Sequence, residues 1–460
     1  MRLARLIGPE LLALVSESPA EVAELLDEIH PEDIADLVVD LEDESAVKVL
    51  TTLPTDFAAQ VFARLDEDRQ GVLAGLMGTR SVARIATEMD ADDRVDFFSI
   101  LPPSVGTPLL AELEKVDPEA AEDIEELARW PETSAGGLMT TDYIVVTRDA
   151  RLRDAIDEIR GQAKVAETVD AIYVVDDSHR LLGTLSLRQL LLASPDEKVG
   201  DVMIESVISV RPELDQEEVA KVLAKYDLHT LPVADESGVL LGVITSDDIL
   251  DVIAEEQAED VQKMGAIAPI QEGYFDASVG TYIVKRAPWL MVLFVGGFFT
   301  TSALKAYDTM LASVASLAFY VPILISAGGN SGSQSSTLVI RALSVGQIRT
   351  RDWWRVLLRE LAQGFALGSL LAALGVARVL IGGDGLPLAL VVALTLLGIV
   401  VMGCIVGAML PILLHKVGLD PATSSTPFIA TLVDVLGILI YLTLAQLLLD
   451  ELLAGAALGR

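Results

Sequence analysis

The chain has 460 residues, 52% of them hydrophobic, so it is long enough for several domains and more apolar than most soluble proteins. The formal net charge of −35 is carried by residues 1–285, which hold 60 acidic and 23 basic residues, while residues 286–460 hold eight and ten. So acidic a surface excludes nucleic acid as a partner, because phosphate binding needs clusters of Lys and Arg, and it suits solvation or divalent cations.

Residues 1–130 predict an acidic domain of short helices. A loose repeat that begins at Leu26, Ala63 and Ala86 pairs an acidic cap with an apolar face at helical spacing. We therefore expect stacked helices that form a superhelix. One N-terminal turn gathers three carboxylates that either cap the helix or collect a cation, Asp92, Asp93 and Asp96.

Two features indicate the cellular compartment. The first apolar run is interrupted at Gly8 and Pro9, so no signal peptide is predicted and this half of the chain is expected in the cytosol. Cys404 is the only cysteine and lies in an apolar run, which rules out disulfides within the chain.

Residues 131–253 contain a duplication. The stretch AIYVVDDSHRLLGTLSLRQLL resembles TLPVADESGVLLGVITSDDIL with a constant shift of 59 residues. Both copies resemble CBS domains, small α/β units that occur in tandem and commonly bind adenine nucleotides. That resemblance implies a nucleotide site, with ATP as a candidate ligand, at Ser186, Arg188, Thr245 and Asp248. Gln189 stands where an acid would reach the ribose, and a purely dimerising pair is the alternative.

Residues 254–285 form a connector. Its first part, AEEQAEDVQKMGAI, predicts a helix with a strongly acidic polar side. Mutual repulsion of these carboxylates, which cations would relieve, is one interpretation. A solvated helix without further role is the other.

Five apolar runs of spanning length follow, so residues 286–460 are expected to form an all-α membrane domain. They lie at 288–304, 311–325, 356–380, 386–414 and 427–449. With the N-terminus in the cytosol, eight basic residues flank the cytosolic side and three the outer side, which fits the positive-inside rule and places the C-terminus outside. Gly364-x-x-x-Gly368 and Gly403-x-x-x-Gly407 predict faces for close helix packing.

The last apolar run contains one carboxylate, Asp434. It lies seven residues after Pro427, roughly 10 Å into a helix at about 1.5 Å per residue. Because an ionised Asp at mid-helix costs about 2.5 to 3.5 kcal/mol, such a group usually faces a polar path, a partner or an ion. Its helix face also carries Ala430 and Gly437, small residues that let another backbone approach. A cation passage is the first interpretation, and an acid that only packs or stays protonated is the second.

The second apolar run has an unusual polar end. Pro322 lies within it, and the stretch from Gly328 to Gln334 follows. A proline frees one carbonyl from the helix ladder and glycines allow the backbone to open, which would expose oxygen ligands for a hard cation. A polar turn at the cytosolic mouth is the alternative.

Two motifs, PILISAGGNSGSQSSTLVIRAL and GAMLPILL…GLDPATSSTPFIATLVDVLGILIYL, resemble the MgtE family of magnesium channels and transporters. The resemblance covers nearly the whole chain and implies a homodimer in the cell membrane that passes hydrated Mg²⁺ between the second and fifth crossings. It implies pore residues at Asp434, Ala430, Gly328, Asn330 and Asp420.

The same resemblance implies gating by intracellular Mg²⁺ bound to acids of the cytosolic domains. The matching positions are Asp92, Asp96, Glu217, Asp227, Asp248, Asp251, Glu256, Glu259 and Asp260. Two positions depart from the family pattern: Gln60 replaces an acid, and Thr426 replaces an Asn before the fifth crossing.

Two other functions stay open at this stage. One is a transporter for Mn²⁺ or Co²⁺, or an exchanger that moves protons on Asp434. The other is a membrane receptor that senses metal or nucleotide without conducting. An enzyme is not expected, because no nucleophile, base and orienting group cluster and the four histidines are scattered, at His30, His179, His229 and His415.

Overall fold

The computed structural model describes residues 29–163, 166–270, 273–275 and 277–458, with side chains up to residue 448. The start of the first acidic repeat and the apolar run near Gly8 lie outside the described residues. The chain divides into two compact units, Met1–Ile253 and Ala254–Arg460.

The first unit begins, within the described residues, with eight helices: α1 Pro31–Asp40, α2 Asp43–Thr52, α3 Thr55–Ala63, α4 Glu67–Met77, α5 Thr79–Thr87, α6 Ala91–Ile100, α7 Pro103–Val116 and α8 Pro118–Leu127. Carboxylates start several of them. The Asp66 side chain accepts from the Arg69 N–H at 2.8 Å, and Asp117 accepts from the N–H groups of Glu119 and Ala120. Such caps satisfy N–H groups that have no partner within the helix. The predicted all-helical N-terminal domain is confirmed.

The duplicated segment forms two small α/β units. The first contains β1 Ile144–Thr147, α9 Leu152–Gln162, β2 Ala171–Val175, β3 Leu181–Ser186, α10 Leu187–Leu192 and α11 Val199–Val202. The second contains α12 Gln216–Tyr226, β4 Thr230–Ala234, β5 Leu240–Thr245 and the start of α13 Ser246–Met264. Strand β2 pairs with β1 in parallel and with β3 in antiparallel register, and β4 pairs with β5 in antiparallel register. The predicted tandem of two small α/β units is confirmed.

The hairpin turns show the duplication in atomic detail. Asp176 accepts from the N–H groups of Ser178 and Arg180, and Asp235 accepts equivalently from Ser237 and Val239. The next turn position has a positive φ in both copies, 60° at His179 and 83° at Gly238. The turn therefore needs a left-handed residue, and only the second copy provides glycine there.

The second unit holds the rest of α13 and the apolar helices α14 Val279–Ala306, α15 Asp308–Ser313, α16 Ser316–Ser344, α17 Trp353–Gly382, α18 Leu386–Lys416 and α19 Thr426–Leu458. Among the described residues, four helices have the length and apolar composition to cross a membrane, namely α14, α17 with the turn before it, α18 and α19. The predicted count of five is therefore not confirmed. Helix α16 has 29 residues, but its serines, glycines and Asn330 make it too polar to qualify.

The glycine motifs bring α16, α17 and α18 into close contact. A Cβ atom on Gly364 would lie 2.9 Å from the Val401 Cα, and one on Gly403 would lie 2.7 Å from the Gly328 carbonyl oxygen. Real side chains do not tolerate such distances, so the predicted close-packing faces are confirmed.

Replacing Gly407 by Ala should destabilise the membrane unit. The added Cβ would lie 2.1 Å from the Gly332 carbonyl oxygen, so two backbones must separate. Overpacking of this kind costs about 1 to 3 kcal/mol. Thermal unfolding in detergent should therefore show a midpoint several degrees lower. Gly297→Ala is the matched control, because no atom of the described residues that could clash lies within 4 Å of its added Cβ. Equal midpoints for the two variants would contradict this packing.

Candidate cation sites

Asp434 is the ninth residue of α19 and is partly exposed. Its carboxylate has no hydrogen bond or ion pair to any residue that the structure describes. Its Oδ1 atom lies 3.6 Å from the position of a Cβ on Gly329, and the Ala430 Cβ lies 3.4 Å from that same position. Small residues therefore lie beside the acid, where α16 crosses close to it.

The polar stretch of α16 differs from its prediction. The helix is continuous from Ser316 to Ser344, so neither the opened backbone nor the polar turn expected near Gly328 forms. Gly328 is buried against the Ile399 side chain, which would lie 2.2 Å from a Cβ at this position. Asn330 is exposed, and its Nδ2 group donates to the Ser326 hydroxyl at 3.3 Å. Of these two predicted pore residues, only Asn330 offers a side-chain oxygen at the surface of the helix.

Asp420 precedes the helix of Asp434. Its Oδ1 accepts from the Ala422 N–H at 2.8 Å and so caps the short turn Pro421–Thr423. Its Oδ2 accepts from the Lys263 ammonium at 2.7 Å, and the same ammonium contacts the Glu259 carboxylate one turn earlier on α13. Two predicted acids, Glu259 and Asp420, are therefore brought together around one lysine.

A second group of acids lies within the first unit. Glu167, Asp247 and Asp248 each place a carboxylate oxygen within 4.8 Å of the others. Asp92, in the first turn of α6, is 9% exposed. Neither its Oδ1 nor the Glu167 Oε2 has a hydrogen-bond partner among the described residues. Buried carboxylate oxygens without partners are costly. A hard cation that prefers oxygen ligands would satisfy them.

Burial dominates the electrostatics of this group. It raises the pKa of Asp92 well above its usual value, and the negative charge of Asp248 raises it further. It raises the pKa of Glu167 to about 8, with Asp248 again adding to the effect. The pKa of Asp248 itself is raised to about 6 by burial, although a hydrogen bond from the Thr245 hydroxyl at 2.6 Å opposes this. The negative charge of each carboxylate therefore makes ionisation of its neighbours less favourable.

These shifts predict an unusual pH dependence of stability. A carboxyl whose pKa is higher in the folded than in the unfolded state stabilises the fold when protonated, and this contribution is lost as pH rises through the folded pKa. The metal-free protein should therefore melt at a higher temperature at about pH 6 than at about pH 8. Saturating Mg²⁺ should remove most of the difference between the two melting temperatures, because its positive charge compensates that of the ionised carboxylates. Scanning calorimetry at both pH values, with chelator and with Mg²⁺, measures these melting temperatures. A metal-free melting temperature that rises from about pH 6 to about pH 8 would contradict the raised pKa values.

The cluster borders a cleft of about 910 Å³ between the N-terminal helices and the first CBS repeat. Its walls contain many acidic residues, including Asp90, Asp93, Asp142 and Glu167. Gln60, which departs from the family pattern, lines the same cleft. The cleft gives solvent and ions a polar surface beside the cluster.

The other predicted regulatory acids are placed as follows. Asp96 lies exposed on α6, and Glu217, in the first turn of α12, pairs with Lys221 at 2.9 Å. Asp227 ends α12 with a left-handed backbone at φ 50°. The remaining three lie on α13, at Asp251, Glu256 and Asp260.

The predicted nucleotide residues lie at the starts of two helices, α10 and α13. The Ser186 hydroxyl and Gln189 form a capping box at α10, and the Thr245 hydroxyl donates to Asp248. A cleft of about 300 Å³ lies instead between the CBS repeats, lined by residues that include Tyr173, Asp227 and Thr230. Arg188 lines a neighbouring depression.

Sequence reasoning missed three residues of these sites. Glu167 lies in a loop before β2, and Asp247 is an ordinary first-turn acid of α13. Lys263 looks like a normal positive residue at a helix C-terminus. No motif marks any of them, because each site also needs a partner that is distant in sequence: Glu167 and Asp248 meet across the fold, and Lys263 reaches Asp420.

Comparison with known proteins identifies the class. Residues 321–444 match a family model described as divalent cation transporter, and residues 29–133 match the MgtE intracellular N domain. Residues 135–196 and 199–255 match the CBS domain. Fold and matches together define a multi-pass membrane transporter with an N-terminal helical domain and a CBS pair, and not an enzyme.

The curated relatives give the family. The magnesium transporter MgtE of Thermus thermophilus is 45% identical over 336 residues, which cover 73% of this chain and 74% of the relative. That of Bacillus subtilis is 32% identical over 393 residues, which cover 85% and 86%. The chain therefore belongs to the MgtE family.

Two solved structures resemble the intracellular part. A crystal structure of the soluble part of a magnesium transporter has a TM-score of 0.51 at 32% identity, covering 54% of this chain and 99% of that one. The cytosolic domain of the Mg²⁺ channel MgtE in complex with ATP has a TM-score of 0.50 at 38% identity, covering 52% and 97%.

Proposed function

We propose that this protein is a magnesium channel or transporter that passes hydrated Mg²⁺ through a pore lined by Asp434. The supporting observation is the Asp434 carboxylate itself, a charge in an apolar helix with no partner among the described residues and with Ala430 and Gly329 beside it. Such a group needs water or an ion. The relatives are named magnesium transporters, which supports Mg²⁺ as the ion.

The surroundings of Asp434 suit a hydrated ion. Mg²⁺ loses water reluctantly and is usually bound through one or two carboxylates while it keeps several waters. Small residues beside the acid leave room for that water shell, and Asn330 adds an exposed amide on α16. Gly328 contributes through close packing of α16, and Asp420 adds a charge before α19.

A homodimer in the cell membrane completes the proposal. In a twofold assembly each subunit contributes one Asp434, so two charges face the path. The basic residues flanking the spans support a cytosolic N-terminus and an outer C-terminus.

Intracellular Mg²⁺ is the proposed regulator. The residues that would hold it in the first unit are Asp92, Glu167, Asp247 and Asp248. Among the described residues, one buried oxygen each of Asp92 and Glu167 has no hydrogen-bond partner, and Glu167, Asp247 and Asp248 place their carboxylates close together. A second regulatory position is Glu259 with Asp420. Without a cation, repulsion between these carboxylates favours separation of the acidic surfaces and an open path; with charge compensated, the surfaces stay together.

ATP is a further proposed ligand. The ATP complex of a similar cytosolic domain supports it, and the cleft near Tyr173 and Thr230 is the proposed position. ATP should raise the melting temperature of the full chain, whereas no shift at millimolar ATP would count against binding.

Flux into liposomes loaded with divalent-sensitive dyes tests the main proposal. Mg²⁺ should enter protein-containing vesicles faster than empty ones, without a need for a proton gradient. Faster entry of Mn²⁺ or Co²⁺ than of Mg²⁺ would favour another substrate, and an absolute need for a proton gradient would favour exchange. A protein that binds Mg²⁺ but gives no flux would be a receptor.

A further inference from the structure

The last turn of α13 contains a positively charged side chain, that of Lys263. Lys263 directs its ammonium group between two carboxylates, at 2.7 Å from the Asp420 Oδ2 and in direct contact with Glu259. All three side chains are about one third exposed or less in the structure, so solvent screens the contacts only in part.

Neighbouring contacts hold this end of α13 in place. The Gln262 side chain makes two hydrogen bonds to the backbone of Ile270. Its Oε1 accepts from the Ile270 N–H at 2.7 Å, and its Nε2 donates to the Ile270 carbonyl at 3.1 Å. The Ala268 N–H donates to the Lys285 carbonyl in the first turns of α14 at 3.2 Å. On the other side, the second oxygen of Asp420 is fixed by its cap. The ammonium position is therefore set by local structure on both sides.

Lys263 stays charged in this position. Its ammonium group contacts two carboxylates, and both contacts favour the charged form of the side chain. An ammonium group and a divalent cation cannot share the gap between the same two oxygens, because they repel each other and each needs the oxygens as ligands or acceptors.

We propose that Lys263 is a built-in competitor of the regulatory cation: its ammonium occupies the gap between Glu259 and Asp420 and sets the Mg²⁺ concentration at which this position fills. The proposal rests on the proposed regulatory role of Glu259 and Asp420. Filling requires the ammonium to swing out into solvent, so the apparent affinity for Mg²⁺ is lower than the two acids alone would give.

Lys263→Met tests this by keeping the length of the side chain and removing its charge. Flux through the full-length protein is measured while Mg²⁺ is titrated on the face that bears the N-terminal domains. The half-inhibiting concentration should fall about threefold to tenfold. Lys263→Arg keeps the charge and should remain within twofold of the unaltered protein. Lys263→Gln should lower the half-inhibiting concentration as the Met variant does, so that the conclusion does not depend on a single neutral substitution.

Two controls separate the possible failures. Lys416→Met removes an exposed lysine at the end of α18 and should change nothing. Asp420→Asn should raise the half-inhibiting concentration. If Asp420→Asn has no effect, the regulatory position itself is wrong. If it acts as expected while both neutral Lys263 variants leave the concentration unchanged or higher, the competitor role is overturned and the regulatory position stands.

Discussion

Asp434→Asn is expected to lower Mg²⁺ flux at least tenfold. At an effective dielectric of about 20, one negative charge attracts a divalent cation about 5 Å away by roughly 7 kcal/mol before losses of hydration. A dimer would lose two such charges. The amide has nearly the same shape, and the carboxylate has no partner to lose among the described residues, so folding should be unaffected. Dye-loaded liposomes measure the initial rate.

Asp308→Asn is the matched control for this variant. Asp308 begins the short helix α15 and is exposed, so its removal changes the net charge of the membrane unit equally without altering the proposed path. Its flux should stay within twofold of the unaltered protein. Equal losses in the two variants would show a general charge effect, and unchanged flux in Asp434→Asn would remove Asp434 from the path.

Much of the fold was predictable because its signals are local. The shift of 59 residues between the CBS copies identified the duplication, and the equivalent caps of Asp176 and Asp235 follow from it. The acidic connector was predicted as a helix and is one, ending at Met264. Glycines at a spacing of four predicted close helix contacts because only a missing Cβ allows them.

The conformation of α16 was not predictable in the same way. Pro322 and the following glycines weaken a helix in isolation. In the bundle, however, Gly328 and Gly332 pack against Gly403 and Gly407 on α18, and that burial keeps the helix continuous. Tertiary packing overrides local propensity here. Similarly, the charge of Asp434 stood out against its apolar helix, whereas Glu167 is one acid among many until the fold buries it.

The largest regulatory effect is expected from a triple variant, Asp248→Asn, Asp251→Asn and Glu259→Gln. These acids lie along α13, and in the proposed regulation their carboxylates provide both the repulsion and the oxygen ligands for Mg²⁺. Removing them takes away both at once. Conduction should persist at low Mg²⁺, while the half-inhibiting concentration rises at least tenfold or inhibition disappears. Flux recorded during a Mg²⁺ titration on the cytosolic face gives both quantities.

An equal loss of charge elsewhere provides the control for the triple variant. Asp154→Asn, Asp157→Asn and Glu158→Gln remove three exposed acids of α9 in the first CBS repeat. If the net charge of the soluble half were what matters, both triple variants would lose inhibition alike. Position-specific binding predicts loss in the α13 variant only, because only there do the carboxylates lie beside Glu167 or Asp420. Unchanged inhibition in the α13 variant would rule out these acids as the sensor even if Asp434 proves essential for flux.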